Sequence, residues 1–324
     1  MKLDIVRRWV GPGVGILLVT YLMGRMPWMS VFQVIAETRM RWWLPALAMG
    51  ALAVWIRSLR LHWVLGVPEP ILGVWRAVAL GYLAGLVIPA GGGELVKVRM
   101  LMKARGLDLI HAGSAVTLDR LLDLVGLTLG LALLGGLQAL PGQVGTLLRA
   151  MGILMLFSGL FFVLFITLGK ASITRLSGRL TNLPWLIWLL ERMAGVIDEA
   201  EHLRRTKIWI RLLLLQVFIT TFDVYTTSIA LRAIPFTVSL PPWAGLQVLM
   251  FSSIGFAMPL LPGGVGSLQV ACIVALRPWG VPVSQALAFS LLANLGHVFL
   301  IIGHGLLAFF LPPNPNNKTQ GGVS

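Results

Sequence analysis

Long runs of apolar residues, separated by short polar or basic segments, dominate this chain from end to end. One crossing of a bilayer by a helix needs about 20 predominantly apolar residues. Runs of about that length cover residues 10–27, 43–66, 112–136, 148–169, 208–232 and 284–311. The pattern therefore predicts an all-α polytopic membrane protein with about six full spans.

Two further apolar stretches, at about 74–106 and 243–280, are interrupted by proline and glycine. Such breaks free backbone N–H and C=O groups, which lipid cannot satisfy, so the broken backbone must face protein or a water-filled cavity. We interpret both stretches as re-entrant helical hairpins. Their predicted tips contain Pro89, Gly91 and Gly93 in the first hairpin and Pro262, Gly263, Gly264 and Gly266 in the second.

The two hairpins resemble each other in sequence. "PAGGGELV" at 89–96 aligns with "PGGVGSLQ" at 262–269 at a constant offset of 173 residues. Each half then reads as two spans, a broken hairpin and a span, and the halves, about 1–140 and 145–311, are inverted relative to each other. Interrupted segments at matching positions of inverted repeats indicate a transport site near the middle of the membrane. The alternative is chance, because Gly and Pro are common in membrane helices.

Composition supports a membrane protein and argues against a nucleic-acid partner. Hydrophobic residues make up 57% of the chain and charged residues 12%, about half the usual charged share of a soluble domain. The net charge of +14 comes from basic residues in short segments beside the spans, which predicts a cytoplasmic (inner) membrane protein with both termini in the cytoplasm. No nucleic-acid motif accompanies the charge, so we expect no nucleic-acid partner.

The rest of the chain predicts a single integral membrane domain over 1–311. An amphipathic stretch at about 185–206 is typical of a helix lying in the membrane interface, and residues 312–324 form a polar tail that we expect to be disordered. With one cysteine and no metal-ligand spacing, no metal site and no cofactor are predicted.

Charged residues within apolar helices are the candidate substrate-binding positions, because a charge at the centre of a spanning helix is costly unless it is paired or faces a cavity. Glu94 and Lys97 can pair at i,i+3, although Glu94 could instead only cap its helix. Asp119, Arg120 and Asp123 fall on one side of the next helix. There, Arg120 and Asp123 form either an internal ion pair or a site that leaves guanidinium donors free for a phosphate.

Three other positions are candidates with open alternatives. Arg57 and Arg60 could line the same cavity, but snorkelling to the cytoplasmic surface is the favoured interpretation. Asp223 lies among hydroxyl residues in mid-span and is either a hydrogen-bonded structural acid or an ion or proton site.

The motifs "GYLAGLVIPAGGGELVKVRML", "LDRLLDLVGL" and "PLLPGGVGSLQVA" resemble those of the membrane domain of lysylphosphatidylglycerol synthases, also called flippase-like proteins. The resemblance runs in order over nearly the whole chain, and it implies an integral helix bundle that moves a lipid between leaflets. In the lysyl synthases a soluble aminoacyl-transferase domain follows that bundle. The present sequence ends at Ser324 without one, so we expect no lipid lysylation by this chain alone.

The sequence departs from the family pattern in its second half. The family usually has Glu where Gln269 stands and Arg where Asn294 stands, and both positions are substrate-binding candidates. The joint loss of an acid and a base suggests that a neutral Gln269–Asn294 contact replaces an ion pair.

These observations lead to one function and two alternatives. The leading hypothesis is translocation of a phospholipid or lipid-linked polar substrate between leaflets, by a transporter that is not an enzyme and whose partners are membrane lipids. The first alternative is a non-transporting membrane partner of a glycosyl- or acyl-transferase. The second is an intramembrane hydrolase that uses Ser267 and His297, although "GVGSLQ" lacks the G-x-S-x-G nucleophile elbow.

Overall fold

A computed structural model describes residues 24, 27–66, 70–88, 92–105, 107–136, 208–257 and 264–311. Several predicted features lie outside these residues. They are most of the span 10–27, the span 148–169, the amphipathic stretch 185–206, the tail 312–324, and the tip residues Pro89, Gly91, Pro262 and Gly263.

The described residues form α-helices and contain no β-strand. A 3₁₀ turn, Arg277–Trp279, connects the last two helices. We number the helices α1 (Trp28–Ala36), α2 (Met40–Leu65), α3 (Ile71–Val87), α4 (Gly92–Arg105), α5 (Leu109–Gly136), α6 (Ile208–Ala233), α7 (Ala244–Ala257), α8 (Ser267–Leu276) and α9 (Val283–Phe310).

Helices are confirmed over four of the predicted spans, as α2, α5, α6 and α9. Of these, α2, α6 and α9 are long and apolar enough to cross a membrane. Helix α5 has 28 residues, a length of about 42 Å at 1.5 Å per residue, but it carries a group of charged residues in its middle. The charges, rather than the length, distinguish α5 from the other three.

Each of the two interrupted stretches forms two helices, one on either side of the break. In the first pair, α3 and α4, a Cβ atom added to Gly85 would lie 3.8 Å from the Cα atom of Gly93. In the second pair, α7 and α8, a Cβ atom on Gly255 would lie 3.0 Å from the Cβ atom of Ala271. Small residues thus allow close approach at both of these contacts.

Helix α1 was not predicted, since the sequence pattern assigned its residues to a loop between two spans. It is nine residues long, and the side chain of Val31 is fully buried against Leu287 and Ala288 of α9. Packing on a distant helix stabilises short helices that are marginal alone, and a local sequence pattern cannot show such packing.

The chain divides into two compact units that share the long helices. The first contains the described residues within Met1–Ala53, Tyr82–Gly93 and Thr221–Leu306, and therefore the α7–α8 pair. Inside it, the Arg39 amide donates a 2.8 Å hydrogen bond to the Ala233 carbonyl, which joins the start of α2 to the end of α6. The second unit contains the described residues within Val54–Gly81, Glu94–Thr220 and Leu307–Ser324.

The predicted orientation can be tested at two exposed positions, Ser239 in the loop after α6 and Lys103 in α4. A cysteine at Ser239 should react with an impermeant thiol reagent in intact cells, whereas one at Lys103 should react only after permeabilisation, because basic segments stay in the cytoplasm. The native Cys272 is fully buried and should give little background. Labelling of Lys103→Cys from outside would contradict the orientation.

Candidate functional site

A chain of charged side chains within the second unit is the candidate site. Helix α5 supplies Asp119 and Asp123, which are four residues apart and so lie on the same face, with Arg120 beside them. Helix α2 supplies Arg60 and α4 supplies Glu94 and Lys97.

Arg60 is the centre of the buried part. Its Nε atom lies 2.7 Å from the Asp119 Oδ1 atom, and its Nη1 atom lies 2.8 Å from the Asp123 Oδ1 atom. The Nη1 atom also donates to the side-chain oxygen of Gln216 on α6. Its remaining nitrogen, Nη2, has no hydrogen-bond partner within the described part of the chain. Two carboxylates on one guanidinium satisfy its charge in an environment where water cannot.

Glu94 links the remaining two charged side chains, Arg120 and Lys97. The Arg120 Nε atom donates to the Glu94 Oε1 atom at 2.8 Å, and the Arg120 Nη2 atom contacts the same oxygen. The Lys97 Nζ atom lies 3.1 Å from the Glu94 Oε2 atom. A longer contact of 3.4 Å links the Arg120 Nη1 atom to the Asp123 Oδ2 atom.

The charges alternate in sign along these contacts, and the three acids balance the three bases. The order is Asp119, Arg60, Asp123, Arg120, Glu94 and Lys97, which we call the charge network.

Exposure is uneven along the charge network. The side chains of Arg60 and Lys97 are 0% and 1% exposed, whereas that of Arg120 is 47% exposed. Asp123 and Glu94, which both contact Arg120, are about one-third exposed. The network therefore has a buried interior and one open edge, at which Arg120 lies between two carboxylates.

Some of the predicted pairings are confirmed and others are corrected. The Glu94–Lys97 pair forms as predicted. The predicted Arg120–Asp123 pair forms too, but Arg120 lies closer to Glu94. Snorkelling is wrong for Arg60, because two carboxylates hold its guanidinium in the interior. Arg57, one turn earlier on α2, is partly buried and acts electrostatically on Asp123.

Sequence reasoning missed three uncharged members of this site. Gln216 is 3% exposed, and its Nε2 atom donates to the Thr220 Oγ1 atom at 3.2 Å. Gly126 provides the space for this pair, since a Cβ atom there would collide with the Gln216 amide and lie 2.6 Å from the Thr220 hydroxyl. A glutamine within a predicted span is a usable signal, but nothing in the local sequence marks Gly126.

Three other candidates, Asp223, Gln269 and Asn294, belong to the first unit. The Gln269 side-chain oxygen accepts a 2.6 Å hydrogen bond from the Gly266 amide and so caps its own helix. Asn294 is buried on α9, and no hydrogen bond joins it to Gln269 in the part of the structure described. The predicted neutral contact between Gln269 and Asn294 stays a prediction. Asp223 is partly exposed on α6.

The Ser267–His297 arrangement required by the hydrolase alternative is not present among the described side chains. The Ser267 hydroxyl donates to the Gly264 carbonyl at 3.2 Å. The His297 ring packs against Phe256, with 5.2 Å between ring centroids. Both interactions lie around the start of α8, where Gly264 and Gly266 adopt φ values of 72° and 89°. Within the described ranges, no group of three or more His, Cys, Asp or Glu residues is arranged to hold a metal ion.

Comparison with known proteins gave one match. A family model described as the lysylphosphatidylglycerol synthase TM region matches residues 8–305. Searches of curated proteins and of solved structures found no match. The matched range includes both hairpins and every member of the charge network.

Proposed function

The chain belongs to the lysylphosphatidylglycerol synthase TM-region family, and from this premise we propose that it moves a phospholipid or a lipid-linked polar substrate between membrane leaflets. The observation that carries the proposal is the charge network with its open edge at Arg120. We place the protein in the cytoplasmic membrane with both termini in the cytoplasm, and we assign it no catalytic step.

Stability alone does not account for the charge network. A charge at the centre of a spanning helix costs about 2.5–3.5 kcal/mol on insertion scales, and well-packed apolar residues often replace a buried ion pair without loss of stability. Four of the six, Arg60, Asp119, Arg120 and Asp123, lie on the long helices α2 and α5. Charges in contact at such positions favour a role in handling a polar substrate.

Arg120 is the member that can leave the network at the lowest electrostatic cost. Its first partner, Glu94, also pairs with Lys97 at 3.1 Å. Its second partner, Asp123, also pairs with Arg60 at 2.8 Å. When Arg120 turns towards a substrate, neither carboxylate loses its last cation, which would otherwise be the main barrier to the exchange.

A phosphate group is the substrate chemistry that suits such an exchange. A guanidinium presents a planar fork of N–H donors that binds two phosphate oxygens at once. In the empty protein Glu94 and Asp123 hold Arg120, and in the loaded protein the phosphate takes their place. The substrate's acyl chains stay in the lipid while its headgroup follows the polar edge.

The first hairpin connects this edge to the membrane interior. Glu94 and Lys97 lie in the first two turns of α4, directly after the Pro-Gly break. Both interrupted helix pairs are re-entrant in this proposal, so that their freed backbone groups face the aqueous path rather than lipid.

Arg120 variants test the proposal in liposomes containing the purified protein and a fluorescent phospholipid. We expect Arg120→Gln to reduce lipid movement tenfold or more, because a charge-assisted hydrogen bond contributes about 1.5–3 kcal/mol. Arg120→Lys keeps the charge but loses the fork, so its activity should be intermediate. Arg99→Gln is the matched control, since Arg99 is exposed on α4 and lies outside the charge network.

The melting temperature in detergent separates transport from structure. Transport by both Arg120 variants should fall further than their folded fraction. If activity simply follows the folded fraction in every variant, the charge network holds the helices together and the substrate passes elsewhere.

A further inference from the structure

Three exposed arginines meet at one corner of the first unit. Arg39 and Arg41 flank the start of α2, and Arg232 lies in the last turn of α6. The backbone hydrogen bond from Arg39 to Ala233 holds these two helix ends together. Two of the side chains contact Trp42: its ring centroid is 6.0 Å from the Arg41 guanidinium carbon and 5.5 Å from that of Arg232.

The positive charge of this corner is not neutralised by the described part of the protein. No carboxylate there forms an ion pair with any of the three arginines, and the acid nearest in sequence, Glu37, is exposed and ends α1. Two guanidiniums on one ring repel each other, so an anion bound between them would be stabilised by both. Cation–π contact with Trp42 orients the two side chains for such an anion.

Helix α1, next to this corner in sequence, exposes apolar side chains. Met29 and Phe32 are 78% and 60% exposed, while Val31 on the other face is buried against α9. With nine residues the helix is about 14 Å long, too short to cross the hydrocarbon core. An apolar face beside a cluster of cations is typical of a helix lying at the headgroup boundary.

We propose that the corner formed by α1, the start of α2 and the end of α6 binds the phosphate of an anionic phospholipid. Arg41 and Arg232 hold the phosphate beside Trp42, Arg39 adds a third positive charge, and Met29 and Phe32 enter the acyl region. The site anchors a resident lipid and is independent of the proposed translocation. Arginines are normally depleted on the outer side of membrane proteins, where the predicted orientation places this corner, so their presence calls for a specific ligand.

Lipid selectivity of the purified protein tests this site. The full chain is reconstituted in phosphatidylcholine bilayers, and the motionally restricted fraction of spin-labelled phosphatidylglycerol is compared with that of spin-labelled phosphatidylcholine. We expect Arg41→Gln/Arg232→Gln to lower the preference for phosphatidylglycerol by about fivefold per arginine at low salt. Arg41→Lys/Arg232→Lys should retain part of it, and added salt should weaken the wild-type preference.

Two controls make the result specific. Arg277→Gln removes one exposed positive charge of the same unit and should leave the preference unchanged. The Arg41→Gln/Arg232→Gln variant is also measured in combination with Arg120→Gln, which removes the proposed transport contact. The preference for phosphatidylglycerol should fall by the same factor in that background. Wild-type selectivity in Arg41→Gln/Arg232→Gln, or an equal loss in Arg277→Gln, would overturn the proposal. Neither result would bear on lipid movement, which the Arg120 variants test separately.

Discussion

Replacing Arg60 with Met is expected to lower the free energy of unfolding by about 3–5 kcal/mol, the usual effect of removing one partner from a buried ion pair. The substitution keeps an unbranched apolar side chain but leaves Asp119 without its 2.7 Å partner and Asp123 without its 2.8 Å partner. The Asp119 side chain is only 7% exposed, so water cannot replace the guanidinium. Equilibrium unfolding in detergent measures the change.

The arrangement of charges supplies controls for the Arg60 variant. Arg57→Met removes an arginine one turn earlier on α2, where the side chain is only partly buried, and should cost much less. Adding Asp119→Asn and Asp123→Asn to Arg60→Met should restore much of the lost stability, because the stranded negative charges are then gone. If Arg60→Met costs no more than Arg57→Met, the buried guanidinium does not hold the network together.

The members of the charge network differ in how far the sequence could predict their partners. The Glu94–Lys97 pair follows from helix geometry, because side chains three residues apart are neighbours on the helix surface. The partners of Arg60 and Arg120 are set by packing between different helices, and the paired residues are 59 and 26 positions apart in the chain. Helix geometry alone therefore predicts Asp123 as the partner of Arg120. In the folded protein Glu94 lies closer to Arg120 than Asp123 does.

The helices likewise divide into those that local sequence predicts and those that depend on contacts between distant segments. Long apolar runs predicted α2, α5, α6 and α9, because the requirement for about 20 apolar residues is a property of the run itself. The Pro and Gly breaks likewise predicted where α3 and α4, and α7 and α8, separate. Helix α1 depends on the burial of Val31 against α9, and the place of Gln216 depends on a glycine on α5. Both are contacts between distant segments, on which the hydropathy pattern carries no information.

Gly264→Ala, just before α8, should be more damaging than the same substitution at Gly280, a glycine with nearly the same positive φ. Gly264 has a φ of 72°, where a Cβ atom costs about 1–2 kcal/mol. The added methyl would also lie 2.7 Å from two ring atoms of Phe256, and overpacking of this kind costs about 1–3 kcal/mol more. The ring is 38% exposed, and its other described ring contact is with His297. Unfolding in detergent and lipid movement in liposomes are the two measurements.

Gly280 is the matched control, because its φ is 71° and a Cβ atom there would have no atom within 4 Å. Gly280→Ala should therefore show only the backbone effect, and Gly264→Ala should be less stable by the additional 1–3 kcal/mol or so. Phe256→Ala should remove that excess when combined with Gly264→Ala, since the colliding ring is then absent. If the second hairpin lines the substrate path, Gly264→Ala will also reduce lipid movement beyond its loss of folded protein, and Gly280→Ala will not. Equal stability of the two alanine variants would show that the Phe256 ring moves away from the added methyl group at no cost. The structure around Gly264 would then not be tightly packed.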